Sequence, residues 1–324
     1  MEYIYNSCGI NFRFKTNDRA IAQTIKKTLN HLDKSWINDG KVVTIELKFV
    51  RNGISGFFLP KDAKLINSFD LKINGSFING HTYSKYNKVY LIKENVLYGS
   101  WDKWGGSCFV SSRPYVNSVE CSYLIKTIFV DIITKRGFIP IHASGALVNN
   151  RGVLFVGDSG QGKSTAITYL LDKGFGFLGD GIVCLKKSTE WWIYPLSCCV
   201  ALEKKKPFEN FLRNCDLSQA GESNHLFNRK DKYYFNIKTC EHSLFINEAP
   251  LSLLVFPTLS NRNECRLKNI SFKEISPIFS KQVSSGIGNQ QANVFASIGR
   301  NVKCYELYLS KNLTGLEDEL CSVI

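Results

Sequence analysis

Long apolar runs are missing from this sequence. Nothing in it approaches the ~20 consecutive apolar residues that a membrane-spanning helix needs. The most apolar helical stretch, Val119 to Ile133, is interrupted by Lys126 and Asp131 and fits a core helix, so no membrane partner is expected. Met1 to Asn6 lacks a cationic region ahead of an apolar one, and no signal peptide is expected either. Cysteine spacing of the metal-binding type is also missing. The eleven cysteines are an odd number, form no C-x-x-C, and none pairs with any of the five histidines at ligand spacing. Neither a zinc site nor a disulfide framework is indicated, and reduced thiols in a cytoplasmic protein are the expectation. Proline is scarce, at 8 of 324 residues, and there are no repeats or low-complexity tracts, which excludes collagen-like and disordered chains.

What remains is an ordinary globular composition, 44% hydrophobic and 21% charged. At roughly 100–200 residues per domain, the length suggests two domains, each able to bury a core. Lys and Arg number 41 against 28 Asp and Glu, a formal charge of +13 that favours anionic partners without choosing among them.

Residues 1–116 read as a β-rich domain. Short β-type runs (Gly9 to Lys15, Val42 to Val50, Leu65 to Ile73, Lys88 to Ile92, Ser107 to Ser111) are separated by turns such as Asn38-Asp39-Gly40 and Asn74-Gly75, with one helix at about Asp18 to Leu32. This part carries 17 basic and 9 acidic residues, most of the net charge. It is either a solvated basic face or a docking surface for an acidic partner. Asn117-Ser118-Val119-Glu120 has the form of a helix start, and Lys135-Arg136-Gly137 of a helix end. A second domain is therefore placed at 117–324, with alternating strands and short helices after Leu251.

One stretch carries chemistry. Gly157-Asp158-Ser159-Gly160-Gln161-Gly162-Lys163-Ser164 matches G-x-x-x-x-G-K-[ST], between an apolar strand, Val153 to Val156, and an amphipathic helix closed by Gly174. Glycines let successive backbone N–H groups turn toward a polyphosphate, the helix N-terminus adds partial positive charge, and Lys163 reaches the terminal phosphates. Ser164 would hold Mg²⁺, and Thr165 completes the cradle.

The flanking segments converge on the same place. A helix to Lys173 carries the chain about 15 Å away and a strand from Phe175 to Gly179 returns it about 16 Å, bringing Asp180 level with the cradle. A carboxylate there can take a proton from an attacking hydroxyl or bind the bridging metal. Upstream, a strand from Phe138 to Val148 turns at Asn149-Asn150-Arg151-Gly152 and pairs back on Val153 to Val156. With a two-residue loop the paired numbers sum to 299 or 301, placing His142 opposite Gly157 or Ser159. His142 is then either a phosphate-side imidazole or a structural histidine. Arg229, Lys230 and Lys232 form either a cationic arm for the transferred phosphate or a solvated loop. Trp101, Trp104, Trp191 and Trp192 are either stacking surfaces or core.

His142-Ala143-Ser144, then G-D-S-G-Q-G-K-S-T, then Gly174 and Asp180, resembles the catalytic core of the HPr kinase/phosphorylase family. It is most similar to the short kinases found beside genes for lasso and other ribosomally made peptides. The resemblance is strong over about residues 137–186 and looser from Phe256-Pro257 onward. It implies an α/β fold with a mixed sheet, a P-loop kinase domain of the phosphoenolpyruvate carboxykinase type behind the β-rich substrate-presenting domain. It also implies ATP and Mg²⁺ as cofactors, a serine or threonine hydroxyl of a peptide as acceptor, and His142, Lys163, Ser164 and Asp180 as the active site. Assembly of identical subunits is a further implication. The chain departs from the family where paired aspartates are usual, having Asp180-Gly181, and it shows no match to the family's regulatory N-terminal domain. A small-molecule hydroxyl as acceptor and a non-catalytic nucleotide-binding regulator are the competing readings. A nucleic-acid partner is disfavoured, since no aromatic-basic RNA motif or helix-turn-helix is present.

Overall fold

The computed structural model describes residues 1–324 apart from 31, 33, 35–40, 52–59, 74–75, 86–87, 94–96, 117–118, 204–220, 223–231, 241–243 and 284–290. The chain divides into two compact units, Met1–Arg136 and a second that begins at Gly137 and runs to Ile324.

The first unit contains β1 (Glu2–Ser7), β2 (Ile10–Thr16), α1 (Arg19–Thr28), β3 (Lys41–Phe49), β4 (Lys64–Ile73), β5 (Ser76–Lys85), β6 (Lys88–Lys93), β7 (Leu97–Asp102), β8 (Gly105–Val110), α2 (Arg113–Val116) and α3 (Val119–Lys135). Its strands form one mixed sheet in the order β1-β2-β3-β8-β7-β6-β5-β4, with parallel pairing at β2–β3 and β3–β8. The five β-type runs expected from sequence are all strands of this sheet. The turns expected at 38–40 and 74–75 lie outside the described residues. Phe12, Phe14, Val43, Ile45 and Leu47 are fully buried, as are Ile21 and Ile25 of α1.

The helix α3 differs from its expected place. Sequence puts the division at 116/117, whereas α3 packs against α1, α2 and β7 and so closes the first unit, with the division at 136/137. Its apolar face (Leu124, Ile125, Ile128, Ile132) demands a buried partner, and sequence alone does not say on which side of it that partner lies. Trp101 belongs to the same core: it is 2% exposed and its Nε1 donates to Asp131 of α3 at 2.8 Å. Trp104, by contrast, is exposed. Burial pushes the thiols of Cys108 and Cys121 up, the latter to about 12, so both stay protonated and behave as small apolar side chains.

Asp18 caps α1, accepting from the amides of Ala20 and Ile21 at 2.9 and 3.1 Å and from Arg113 Nη1 at 2.5 Å. Burial opposes ionisation of this carboxyl, but the Ile21 amide, the Arg113 guanidinium and the Ala20 amide outweigh it and hold the group below the usual carboxylate range. A folded-state value below the unfolded one stabilises the fold above the unfolded pKa of about 3.9, and the benefit fades as pH falls through the folded value. Asp18→Ala is expected to cost the first unit about 1–2 kcal/mol at pH 7. The loss should be smaller in urea melts at pH 3; equal losses at both pH values would remove the ionic part of this account.

The second unit contains β9 (Ile139–Ile141), β10 (Ala143–Val148), β11 (Arg151–Val156), α4 (Lys163–Asp172), β12 (Gly176–Phe177), β13 (Val183–Lys187), β14 (Trp191–Pro195), β15 (Cys199–Glu203), β16 (Gly221–Glu222), β17 (Lys232–Asn236), β18 (Ala249–Leu259), β19 (Arg266–Asn269), α5 (Phe272–Gln282), α6 (Gln291–Asn301), β20 (Lys303–Leu309) and α7 (Leu316–Val323). Its main sheet is mixed, in the order β12-β10-β11-β18-β14-β13-β9, with β20 also paired to β18 and β19 to β20. The expected α/β class with a mixed sheet is thus observed.

Central strand β11 is buried on both faces. Val153 and Phe155 pack with Ala166, Ile167 and Leu170 of α4, while Leu154 and Val156 pack in a second cluster with Phe279 of α5 and Ile298 of α6. The Val-Leu-Phe-Val run follows from this, because alternate side chains meet a helical layer on either side. Trp191 lies in the second cluster and is a core residue, its Nε1 donating to Ser297 Oγ at 3.3 Å.

Two strand predictions are corrected. The strand expected at Phe138 to Val148 breaks at His142 into β9, which pairs with β13, and β10, which pairs with β11 and β12. The strand expected at Phe175 to Gly179 reduces to Gly176–Phe177. Beyond it only two bonds continue the pairing, from Leu178 N to Gly145 O at 2.9 Å and from Gly145 N to Gly179 O at 2.8 Å. Among the described residues no helix is long and apolar enough to cross a membrane.

Candidate active site

The hairpin of β10 and β11 sets the approach to the site. Asn149 and Asn150 have φ of 47° and 59°, the left-handed pair of a two-residue hairpin turn that asparagine tolerates. Val148 pairs with Arg151 and Ala143 with Val156, so the register is the one summing to 299. Pairing stops there. His142, in line with Gly157, donates its backbone N–H to Gln282 O at 2.8 Å instead.

From Val156 the chain enters the glycine-rich loop. A side chain at Gly157, where φ is 156°, would put its Cβ 2.0 Å from Gln161 Oε1 and displace the oxygen that accepts the Asp158 amide at 2.8 Å. Gly162 has φ 87° and precedes α4, where a Cβ would meet Leu309 at 2.8 Å. Because Gly162 offers no side chain, α4 has no side-chain N-cap. Its first-turn amides keep the partial positive charge that anions use.

Lys163 opens that helix and is only 6% exposed. Its Nζ donates to the carbonyls of Gly157 and Asp158 at 2.7 and 2.9 Å, placing the ammonium inside the ring of the loop. Ser164 Oγ donates to Asp180 Oδ1 at 2.9 Å. The same oxygen accepts from Ser144 Oγ at 2.5 Å. Asp180 and Ser144 are both buried, and the return of Asp180 to the level of the loop is as its spacing from α4 suggests.

Gln282, the last residue of α5, joins the remaining members. Its Oε1 lies 2.9 Å from His142 Nδ1 and its Nε2 donates to Asp158 Oδ1 at 2.7 Å. His142 therefore reaches the loop through Gln282. Ser159, Gly160 and Thr165 lie on the loop and the first turn of α4, with Ser159 and Gly160 exposed. Lys232 begins β17, while Arg229 and Lys230 lie outside the described residues.

Two members were not identified from sequence. Ser144 is two residues from His142, so the period of a strand already places it on the histidine's side. Gln282 is 124 residues from Asp158, and no local pattern marks it.

The residues present fit a magnesium–nucleotide complex. A hydroxyl and a carboxylate in contact are hard oxygen donors of the kind Mg²⁺ takes, and the uncapped helix end and buried lysine suit a polyphosphate. Among the described residues no group of three or more His, Cys, Asp or Glu side chains forms a metal cage. Mg²⁺ bound through one or two side chains, water and phosphate does not require one.

No family model matches the chain, and no curated protein matches it. Among solved structures it is similar to the HPr(Ser) kinase/phosphatase from Coxiella burnetii, with 14% sequence identity, a TM-score of 0.31, and coverage of 56% of this chain and 94% of that one.

Proposed function

We propose that this protein is an ATP-dependent phosphotransferase, of the HPr kinase-like type with a P-loop domain related to phosphoenolpyruvate carboxykinase, that phosphorylates a serine or threonine hydroxyl of a peptide. The observation carrying this reading is the contact of Ser164 and Ser144 with one oxygen of Asp180 beside a glycine-rich loop holding a buried lysine. A loop of that kind serves nucleotide binding alone, whereas a buried carboxylate against its serine adds a proton acceptor where a hydroxyl would attack.

Mg-ATP supplies the transferable phosphoryl group and a divalent charge. Loop amides 157–164 and the start of α4 bind the β and γ phosphates. Lys163 exchanges its carbonyl partners for phosphate oxygens, so that the ammonium meets opposite charge in place of neutral dipoles. Ser164 and Asp180 provide the metal's protein oxygens. Asp180 takes the hydroxyl proton, with Ser144 fixing its orientation. His142 lies beside the loop, anchored by Gln282. The β-rich unit would present the substrate, with its basic surface suited to an acidic peptide. A cytoplasmic setting and assembly of identical subunits belong to the same proposal.

Incubation with ATP and Mg²⁺ of peptides encoded near this gene, followed by mass spectrometry, tests it. A gain of one phosphate on a serine or threonine is expected. A small-molecule hydroxyl phosphorylated instead would move the acceptor class. Nucleotide binding with no transfer to any acceptor would favour the regulator reading, which the single Asp180-Gly181 in place of paired aspartates also favours.

A further inference from the structure

We infer that Gln282 is a positioning residue that holds neutral His142 as the Nδ1–H tautomer, leaving Nε2 unprotonated and able only to accept. The carboxylate of Asp158 offers acceptor oxygens, so the group of Gln282 that faces it at 2.7 Å is the donating NH₂. The amide cannot turn over without setting its carbonyl oxygen against a carboxylate. With NH₂ committed to Asp158, the carbonyl Oε1 faces His142 Nδ1 at 2.9 Å, and an oxygen acceptor requires a proton on that nitrogen. In the neutral ring the other nitrogen is then bare. Among the described residues Nε2 has no hydrogen-bond partner.

The amide is itself well held. Gln282 is 7% exposed, its carbonyl accepts the His142 backbone N–H at 2.8 Å, and the following Val283 bridges to Ile141. Backbone and side chain of one glutamine thus grip the residue at which β9 gives way to β10. The consequence for chemistry rests on the phosphotransferase reading: a neutral His142 cannot donate to a phosphate oxygen, and it meets the substrate as an acceptor of an N–H or O–H group.

The tautomer is measured directly by ¹⁵N NMR of the imidazole in the full-length protein, at a pH where the ring is neutral. Wild type is expected to show Nδ1 protonated and Nε2 bare. In Gln282→Met the proton is expected to move to Nε2, the form that unconstrained histidine prefers. A wild-type ring protonated on Nε2, or a folded Gln282→Met ring still protonated on Nδ1, would overturn the inference. Should Gln282→Met not fold, the wild-type spectrum decides. In a transfer assay Gln282→Met is expected to lower kcat about 10–100-fold. An Nδ1–H ring in a protein that never binds ATP would end the phosphotransferase reading and leave the tautomer standing. An active enzyme with an Nε2–H ring would do the reverse.

Discussion

Asp180→Asn is expected to slow phosphate transfer by about 10²–10⁴-fold, with affinity for metal-free nucleotide retained. The substitution is chosen for what it leaves intact. An asparagine oxygen can accept from Ser144 Oγ and Ser164 Oγ as the carboxylate does, so the buried contacts at 2.5 and 2.9 Å persist. What disappears is the negative charge and the ability to take a proton. Asp180→Ala would confuse the two effects, because Ser144 is fully buried and would lose this acceptor, at about 1–3 kcal/mol for the stranded hydroxyl. Single-turnover transfer against nucleotide titration separates them, and undiminished turnover in Asp180→Asn would remove the general-base role.

Lys163→Met has the second large effect. Methionine fills the buried stem of Lys163 but lacks the ammonium that donates to Gly157 and Asp158. Hydrogen bonds to charged groups are worth about 1.5–3 kcal/mol, so ATP affinity should fall about 10–100-fold by calorimetry. Transfer should fall further, by about 10²–10³-fold, where charge developing on the phosphate loses its partner. Unchanged ATP affinity would mean that the loop does not hold phosphates.

The legible part of this site is local. Val153 to Val156, the glycine pattern after it and the helix from Lys163 lie within about twenty residues, and their meaning depends on neighbours in the chain. The hairpin was legible for the same reason, but its register was not: spacing left pair sums of 299 and 301 open, and the left-handed turn at Asn149 and Asn150 selects 299. Asp180 could be placed by counting rise along a helix and a strand, although that strand proved to be two residues long. Tertiary contacts were not legible. The break at His142 is held by the backbone bond it donates to Gln282, 140 residues away, and the side of the chain to which α3 belongs is decided by what its apolar face finds. Neither signal exists in any window of the sequence.

The bend at Asn149 and Asn150 has a reach beyond its two residues. It is the gauge from which both arms of the hairpin are measured, one ending at the imidazole and the other running into the loop. Lengthening it by one residue, with the ladder following, would offset the arms by about 3.3 Å and turn the side chains of one arm to the opposite face. The separation of histidine and loop is therefore metered at the far end of the hairpin, by residues that touch neither.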